Sequence, residues 1–74
     1  MAINYNKLWK LLIDENMKRK DLMEKANVSA NVMARLGKNQ PVKMESMEKI
    51  CKALRCNIGE IMEFEHIEQE GGNG

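Results

Sequence analysis

The fold of this chain is decided by residues 19–38, RKDLMEKANVSANVMARLGK, in which two short helical patterns flank a tight turn. Five apolar residues recur at helical spacing and face one another across the turn: Leu22, Ala26, Val28, Met33 and Leu36. Asn27 tolerates the left-handed backbone that a sharp turn requires, and Ser29 is a favourable N-cap. The stretch therefore predicts a helix-turn-helix whose second helix covers about residues 29–36.

Apolar spacing and stop signals predict three more helices around this motif, over about residues 5–15, over 44–54 and after Asn57. Asn57 and Glu60 form a capping box for the last of these. The inward faces of the first and fourth helices are expected to hold Leu8, Trp9, Leu12, Ile13, Met44, Met47, Ile50, Cys51 and Leu54. We predict a compact, all-α five-helix domain over residues 1–64, followed by an acidic, glycine-rich flexible tail over residues 65–74.

Length and composition limit the class of protein. The chain has 74 residues, 43% hydrophobic and 31% charged, which is enough for one folded domain and one core. From this length we expect no separate domain that binds a small-molecule effector. No apolar run approaches the roughly 20 residues of a membrane span, and no signal peptide opens the chain. We expect a cytoplasmic protein that does not enter the membrane.

The small net charge of +1 hides an uneven distribution along the chain. Residues 17–43 carry seven Lys and Arg against two Asp and Glu, whereas residues 60–74 carry five Glu and no Lys or Arg. A basic middle and an acidic end favour an anionic partner for the middle segment. The alternative is that both segments are ordinary solvated surface.

The outward face of the second motif helix has the chemistry of a DNA-recognition helix. If the apolar residues face inward, helical geometry places the following residues outward: Ala30, Asn31, Ala34, Arg35 and Lys38. Small residues permit close approach to a major groove, where Arg pairs with guanine and Asn with adenine. Two alternatives remain open: Arg35 could form a surface ion pair, and Asn31 could help to cap the helix.

With its flanks YNKLWKLLIDENM and VKMESMEKICKALRCNIGEIM, the motif resembles the lambda-repressor-like (Cro/CI, Xre) regulators over about residues 4–64. YNKLWKLLID, LGKN and NIGEIME are most similar to short stand-alone members of the VanU type. The resemblance implies a sequence-specific transcriptional regulator of double-stranded DNA, and we expect a repressor. It implies phosphate or groove contacts for Arg19, Ser29, Ala30, Asn31, Ala34, Arg35 and Lys38. Asn27 stands where the family usually has a turn glycine.

Other chemistry has little support in the sequence. His66 has no identifiable nucleophilic partner, and Cys51 and Cys56 lack the spacing of a zinc site, so we expect no catalysis, metal or cofactor. The C-terminal segment has more apolar residues than a narrow stripe needs: Ile58, Ile61, Met62, Phe64 and Ile67. They could form a homodimer seam, a partner site or the rest of the core. A protein-interaction module, such as an antitoxin or corepressor with the same fold, is the alternative function.

Overall fold

The computed structural model describes residues 2–65, which form four α-helices and one small sheet. The elements in chain order are β1 (Ala2–Asn4), α1 (Asn6–Asp14), α2 (Arg19–Ala26), α3 (Ala30–Gly37), α4 (Met44–Leu54), a single 3-10 turn (Ile58–Glu60) and β2 (Glu63–Glu65). The bounds of α4 are those expected from the sequence. The structure is therefore mostly helical, with the two ends of the described chain paired as strands.

All four helices end in the same way, with a residue in the left-handed region that turns the chain back. These residues are Asn16, Asn27, Asn39 and Arg55, with φ between 55° and 58°. In each case the next N–H donates to a carbonyl five residues earlier, as in Val28 to Met23 at 3.2 Å. This pattern is the Schellman motif, and asparagine is one of the few residues besides glycine that adopts it readily. The asparagines thus end α1, α2 and α3, and Arg55 ends α4 without that advantage.

The core lies where α2 packs against α3 and α4. The buried apolar residues of the core come from all four helices and from the segments next to them: Tyr5, Leu8, Leu12, Leu22, Ala26, Val28, Leu36, Met47, Ile50 and Ile61. Four of the five residues expected to unite the helix-turn-helix are buried, and Met33 is half-buried. The small side chain of Ala26 lets α2 and α3 approach closely at their turn.

The predicted fifth helix is wrong: residues 2–65 are mostly helical, but they hold four α-helices and a small strand pair. Asn57 does begin a helical turn, and its N–H donates to Glu60 Oε2 at 2.9 Å, but the turn ends after Glu60. Gly59 is a poor helix former, and Ile61 then leaves helical geometry to enter the core. The following residues alternate polar and apolar and pair antiparallel with β1, Phe64 lying opposite Ile3. A strand pair thus replaces most of the expected helix.

Two apolar residues expected on inward faces lie on the surface instead. Ile13 is 76% exposed and Met44 is 64% exposed. Ile13 is displaced by about 100° around α1 from Leu12, which is buried, so the two cannot share one face. Met44 is the first residue of α4, ahead of the buried positions Met47 and Ile50.

The start of α1 holds the loop that follows α3. The Tyr5 hydroxyl donates to the carbonyl oxygen of Gln40 at 2.7 Å, and the Tyr5 N–H donates to Asn39 Oδ1 at 3.3 Å. Nearby, buried Asn4 donates to Glu65 Oε2 at 2.7 Å and accepts from the N–H of Asn6. The N-terminal segment is therefore anchored both to the loop after α3 and to β2.

Replacing Tyr5 with phenylalanine should lower the free energy of unfolding by about 1 kcal/mol at neutral pH, because one buried hydrogen bond is lost. Burial also raises the pKa of Tyr5 above 10.0, so the folded chain retains a proton that the unfolded chain loses near pH 10. The contribution of the hydroxyl is present below pH 10 and declines as pH rises above it. Urea unfolding of both proteins at pH 7 and pH 11 measures this, and a difference that is unchanged at pH 11 contradicts it.

Candidate nucleic-acid interface

Helix α3 begins with a well-formed cap at Ser29, whose Oγ accepts a hydrogen bond from the N–H of Val32 at 3.2 Å. The serine side chain replaces one of the carbonyl partners that the first turn lacks. The cap is supplied by Ser29, so Asn31 is not needed for it. The side chain of Asn31 is exposed at the start of the helix.

The predicted contact residues of α3 share one exposed surface. Ser29, Ala30, Asn31, Ala34, Arg35 and Lys38 are all exposed, while Leu36 is fully buried on the opposite side. We call this surface the α3 face. It combines two alanines, whose small side chains do not protrude, with long or polar side chains that can reach hydrogen-bonding groups. Within residues 2–65, the ion pairs are Lys7 with Glu63 and Lys52 with Glu48, so the surface ion pair considered for Arg35 is absent there.

Arg19 lies beside this surface and is held by two contacts. Its Cζ stacks 3.9 Å from the centroid of the Trp9 ring in α1. Its Nη1 approaches the end of α3 so closely that a Cβ built at Gly37 would lie 3.1 Å from it. Stacking on tryptophan and the negative end of the helix dipole both favour a cation at this place. Arg19 therefore links α1 to the C-terminal end of α3 and presents its charge next to the α3 face.

A groove of about 590 Å³ lies between α3 and the start of α4. Asn31 and Arg35 line one side, and Lys43, Ser46 and Lys49 line the other. Neither Lys43 nor Lys49 was among the residues selected from the sequence. Lys43 belongs to the basic segment, so its charge was a usable indication, whereas Lys49 lies among alternating charges of α4 and only the packing of α4 against the rest of the domain places it here.

Lys38 lies at the C-terminal end of α3. It caps the helix, donating its N–H to the carbonyl oxygens of Ala34 and Arg35 at 3.2 and 3.1 Å. Its exposed side chain leaves from the point where the chain turns into the loop held by Tyr5. Thus Arg19 and Lys38 stand at the C-terminal end of α3, and the polar groove runs along its side.

The chain is similar to known helix-turn-helix domains and to a transcriptional regulator. The model of the Cro/C1-type helix-turn-helix DNA-binding domain family matches residues 7–66. The chain belongs to this family. A crystal structure of the transcriptional regulator VanUg (form II) is similar over 84% of this chain and 83% of that chain, with a TM-score of 0.81 and 47% sequence identity. No curated protein sequence matches the chain.

The residues expected to form a dimer seam in this Cro/C1-type domain differ in accessibility. Ile61 is fully buried in the core of the single chain, because it follows the 3-10 turn and packs inward, so it offers no surface to a partner. Met62 is half-buried, and Phe64 on β2 is 50% exposed. Ile67 and the expected tail beyond Glu65 lie outside the described residues. Glu65 itself belongs to β2.

Both cysteines of the described part of the chain are free thiols. Burial raises the pKa of the Cys56 thiol to about 11, so at neutral pH it is protonated and a weak nucleophile. Residues 2–65 contain no cluster of three or more His, Cys, Asp or Glu side chains that could hold a metal ion. No helix in this part of the chain is long and apolar enough to cross a membrane.

Proposed function

We propose that this domain is a sequence-specific transcriptional repressor that inserts α3 into the major groove of double-stranded DNA. The observation that carries the proposal is the α3 face, a low surface with Asn31 and Arg35 free to contact base edges. Its size suits a groove about 12 Å wide. Family membership and the similarity to the transcriptional regulator VanUg support the same function. Bound over a promoter, such a domain represses by excluding polymerase.

We expect the affinity for DNA to come from cations around the recognition helix. Arg19 and Lys38 lie at the C-terminal end of α3, and Lys43 and Lys49 lie across the groove from Arg35. Each phosphate that such a cation neutralises releases counterions, which makes binding depend strongly on salt. Base contacts from Asn31 and Arg35 then select the sequence.

The most informative test is selection of bound sequences from a pool of random duplexes. A repressor of this kind should enrich a short motif, and its affinity for that motif should fall steeply with added salt. Absence of enrichment, together with binding to random duplex that is negligible and insensitive to salt, would contradict the proposal. That result would favour the alternative function, a protein-interaction module such as an antitoxin or corepressor.

Replacing Arg19 with alanine should weaken binding to the selected site and to random duplex by similar factors, because its charge faces phosphate and not bases. The slope of log K against log salt should become shallower by about 0.9, the value for one phosphate contact. Fluorescence anisotropy at four or more salt concentrations measures this slope. Lys10→Ala removes a cation from α1 and is the control. An unchanged slope in Arg19→Ala would show that Arg19 does not contact a phosphate of the bound DNA.

We propose further that two copies bind one operator as a homodimer through Met62 and Phe64. Phe64 is a large apolar side chain that the single chain leaves half exposed on β2. Two recognition helices about 34 Å apart would enter successive major grooves on one side of the duplex. Such an operator would consist of two related half-sites.

Phe64→Glu should shift the protein to the monomer, because a charge cannot be buried in an apolar seam without a partner. Light scattering with and without the selected duplex measures the change. Ile13→Glu places the same charge on another exposed apolar site and should leave the mass unchanged. If wild type and Phe64→Glu have the same monomeric mass in both conditions, the dimer proposal fails while the DNA-binding proposal stands.

A further inference from the structure

Two cysteines meet at the C-terminal end of α4. Arg55 adopts the left-handed conformation and turns the chain, so the N–H of Cys56 donates to the carbonyl oxygen of Cys51 at 3.0 Å. In a Schellman motif these two positions also bring their side chains together. Cys51 and Cys56 line the same two surface depressions, so their side chains are neighbours. Both side chains are half-buried, and both are free thiols.

The cysteine pair opens onto a surface depression that is rich in sulfur. The depression has a volume of about 260 Å³, and four of its lining residues carry sulfur: Met44, Met47, Cys51 and Cys56. Met44 is 64% exposed at the rim, a position that the core does not explain. Ile58 closes the depression on the side of the 3-10 turn. The wall therefore presents soft, polarisable atoms in an apolar setting.

This depression is separate from the proposed DNA interface. The groove beside α3 is lined on α4 by Glu45, Ser46 and Lys49, whereas the sulfur-lined depression uses Met44, Met47 and Cys51. These two sets occupy different faces of the same helix. A ligand in the depression would leave the α3 face accessible.

We propose that Cys51 and Cys56 form a binding site for a soft monovalent cation, Cu(I). Thiolates are preferred ligands of Cu(I), and this d10 ion accepts two of them in a near-linear arrangement. Zn²⁺ would need four ligands, and within residues 2–65 no cluster of three or more His, Cys, Asp or Glu occurs. The cysteine pair with its sulfur-lined surroundings therefore selects the softer ion.

Binding involves no change of oxidation state. Two S–H bonds break, both protons pass to solvent, and two Cu–S bonds form, leaving a complex with a charge of −1. A neighbouring depression that both cysteines share is lined by Lys52 and Arg55 and also by Glu48 and Glu60, so the charge of the complex lies among two cations and two carboxylates. The bridge would join the last turn of α4 to the segment after it and should stabilise the folded chain.

Anaerobic titration of the reduced protein with Cu(I), in competition with the chromogenic chelator bathocuproine disulfonate, tests the site. Wild type should take one Cu(I) per chain by native mass spectrometry, and Cys51→Ser and Cys56→Ser should each lose at least about 100-fold in affinity. Met17→Leu removes a sulfur that lines a different part of the surface, keeps both thiols and should retain the stoichiometry. Equal competition by wild type and the serine variants, or one Cu(I) shared between two chains, would overturn the proposal.

A second measurement needs no variant and is independent of folding defects. At pH 10, where the Cys56 thiol with its pKa of about 11 is partly ionised, stoichiometric Cu(I) should protect both cysteines of the wild-type protein from alkylation by iodoacetamide, as counted by mass spectrometry. Alkylation at the same rate with and without Cu(I) would contradict the site even if the serine variants failed to fold.

Discussion

Leu36→Ala should lower the free energy of unfolding by about 2–5 kcal/mol, the range for truncating a buried leucine. Leu36 is fully buried on the inner side of α3, in a core that also contains Leu22 of α2 and Ile50 of α4. Truncation removes apolar contact area and leaves a cavity, because helices fixed by their neighbours relax only in part. For a domain with a total stability of about 5–15 kcal/mol, such a loss is a large fraction.

Urea unfolding followed by circular dichroism measures the loss, and Ile13→Ala provides a matched control. Ile13 has the same number of carbon atoms as leucine but is 76% exposed, so its truncation should change stability by less than about 0.5 kcal/mol. Similar losses for the two variants would mean that α3 is not anchored through Leu36. The recognition helix would then lack the rigid support on which the proposed DNA contacts depend.

Arg35→Ala should weaken binding to the selected duplex by about 10- to 100-fold, since one bidentate contact to guanine contributes roughly 1–3 kcal/mol of discrimination. Arg35 is exposed on the α3 face and also lines the groove toward Lys43 and Lys49. With alanine at positions 30 and 34, Arg35 and Asn31 carry most of the hydrogen-bonding capacity of this face. Binding to random duplex should weaken much less, because it does not use the base contact.

The two affinities should be measured side by side at one salt concentration. Arg55→Asn is the matched control, since it removes the same charge at the far end of α4 and places there a residue suited to the left-handed backbone. It should leave the preference for the selected duplex unchanged. Equal losses of Arg35→Ala on selected and random duplexes would reduce Arg35 to a phosphate contact and leave sequence selection to Asn31.

The parts of the fold that sequence predicted well are those with local causes. Helix α2 ends at Asn27 because asparagine accepts a left-handed conformation, and α3 begins beyond Ser29 because serine caps a free N–H. Both causes act within five residues. The outward face of α3 followed from the inward positions of Val28 and Leu36 by helical geometry alone. Arg19 and Lys38, expected to contact phosphate or the groove, are exposed near this helix, and their contact with DNA stays a prediction.

The predicted helix after Asn57 was wrong because the structure of this segment has causes that are not local. Asn57 and Glu60 correctly indicated the start of a helical turn, but no local rule showed that it would stop after Glu60. The strand that follows depends on pairing Phe64 with Ile3, about 60 residues earlier in the chain. Burial of Ile61 likewise depends on the packed helices and removes it from the proposed seam.

Residues 19–38 by themselves determined the two helices, their turn and the division between a buried and an exposed side, because capping, turn chemistry and helical periodicity are short-range. Tertiary structure alone decided that Arg19 stacks on Trp9 beside Gly37, that Lys43 and Lys49 face Arg35 across a groove, and that residues 2–4 and 63–65 pair as strands. These contacts join residues of different helices and strands, and their energy is gained only when the whole domain packs.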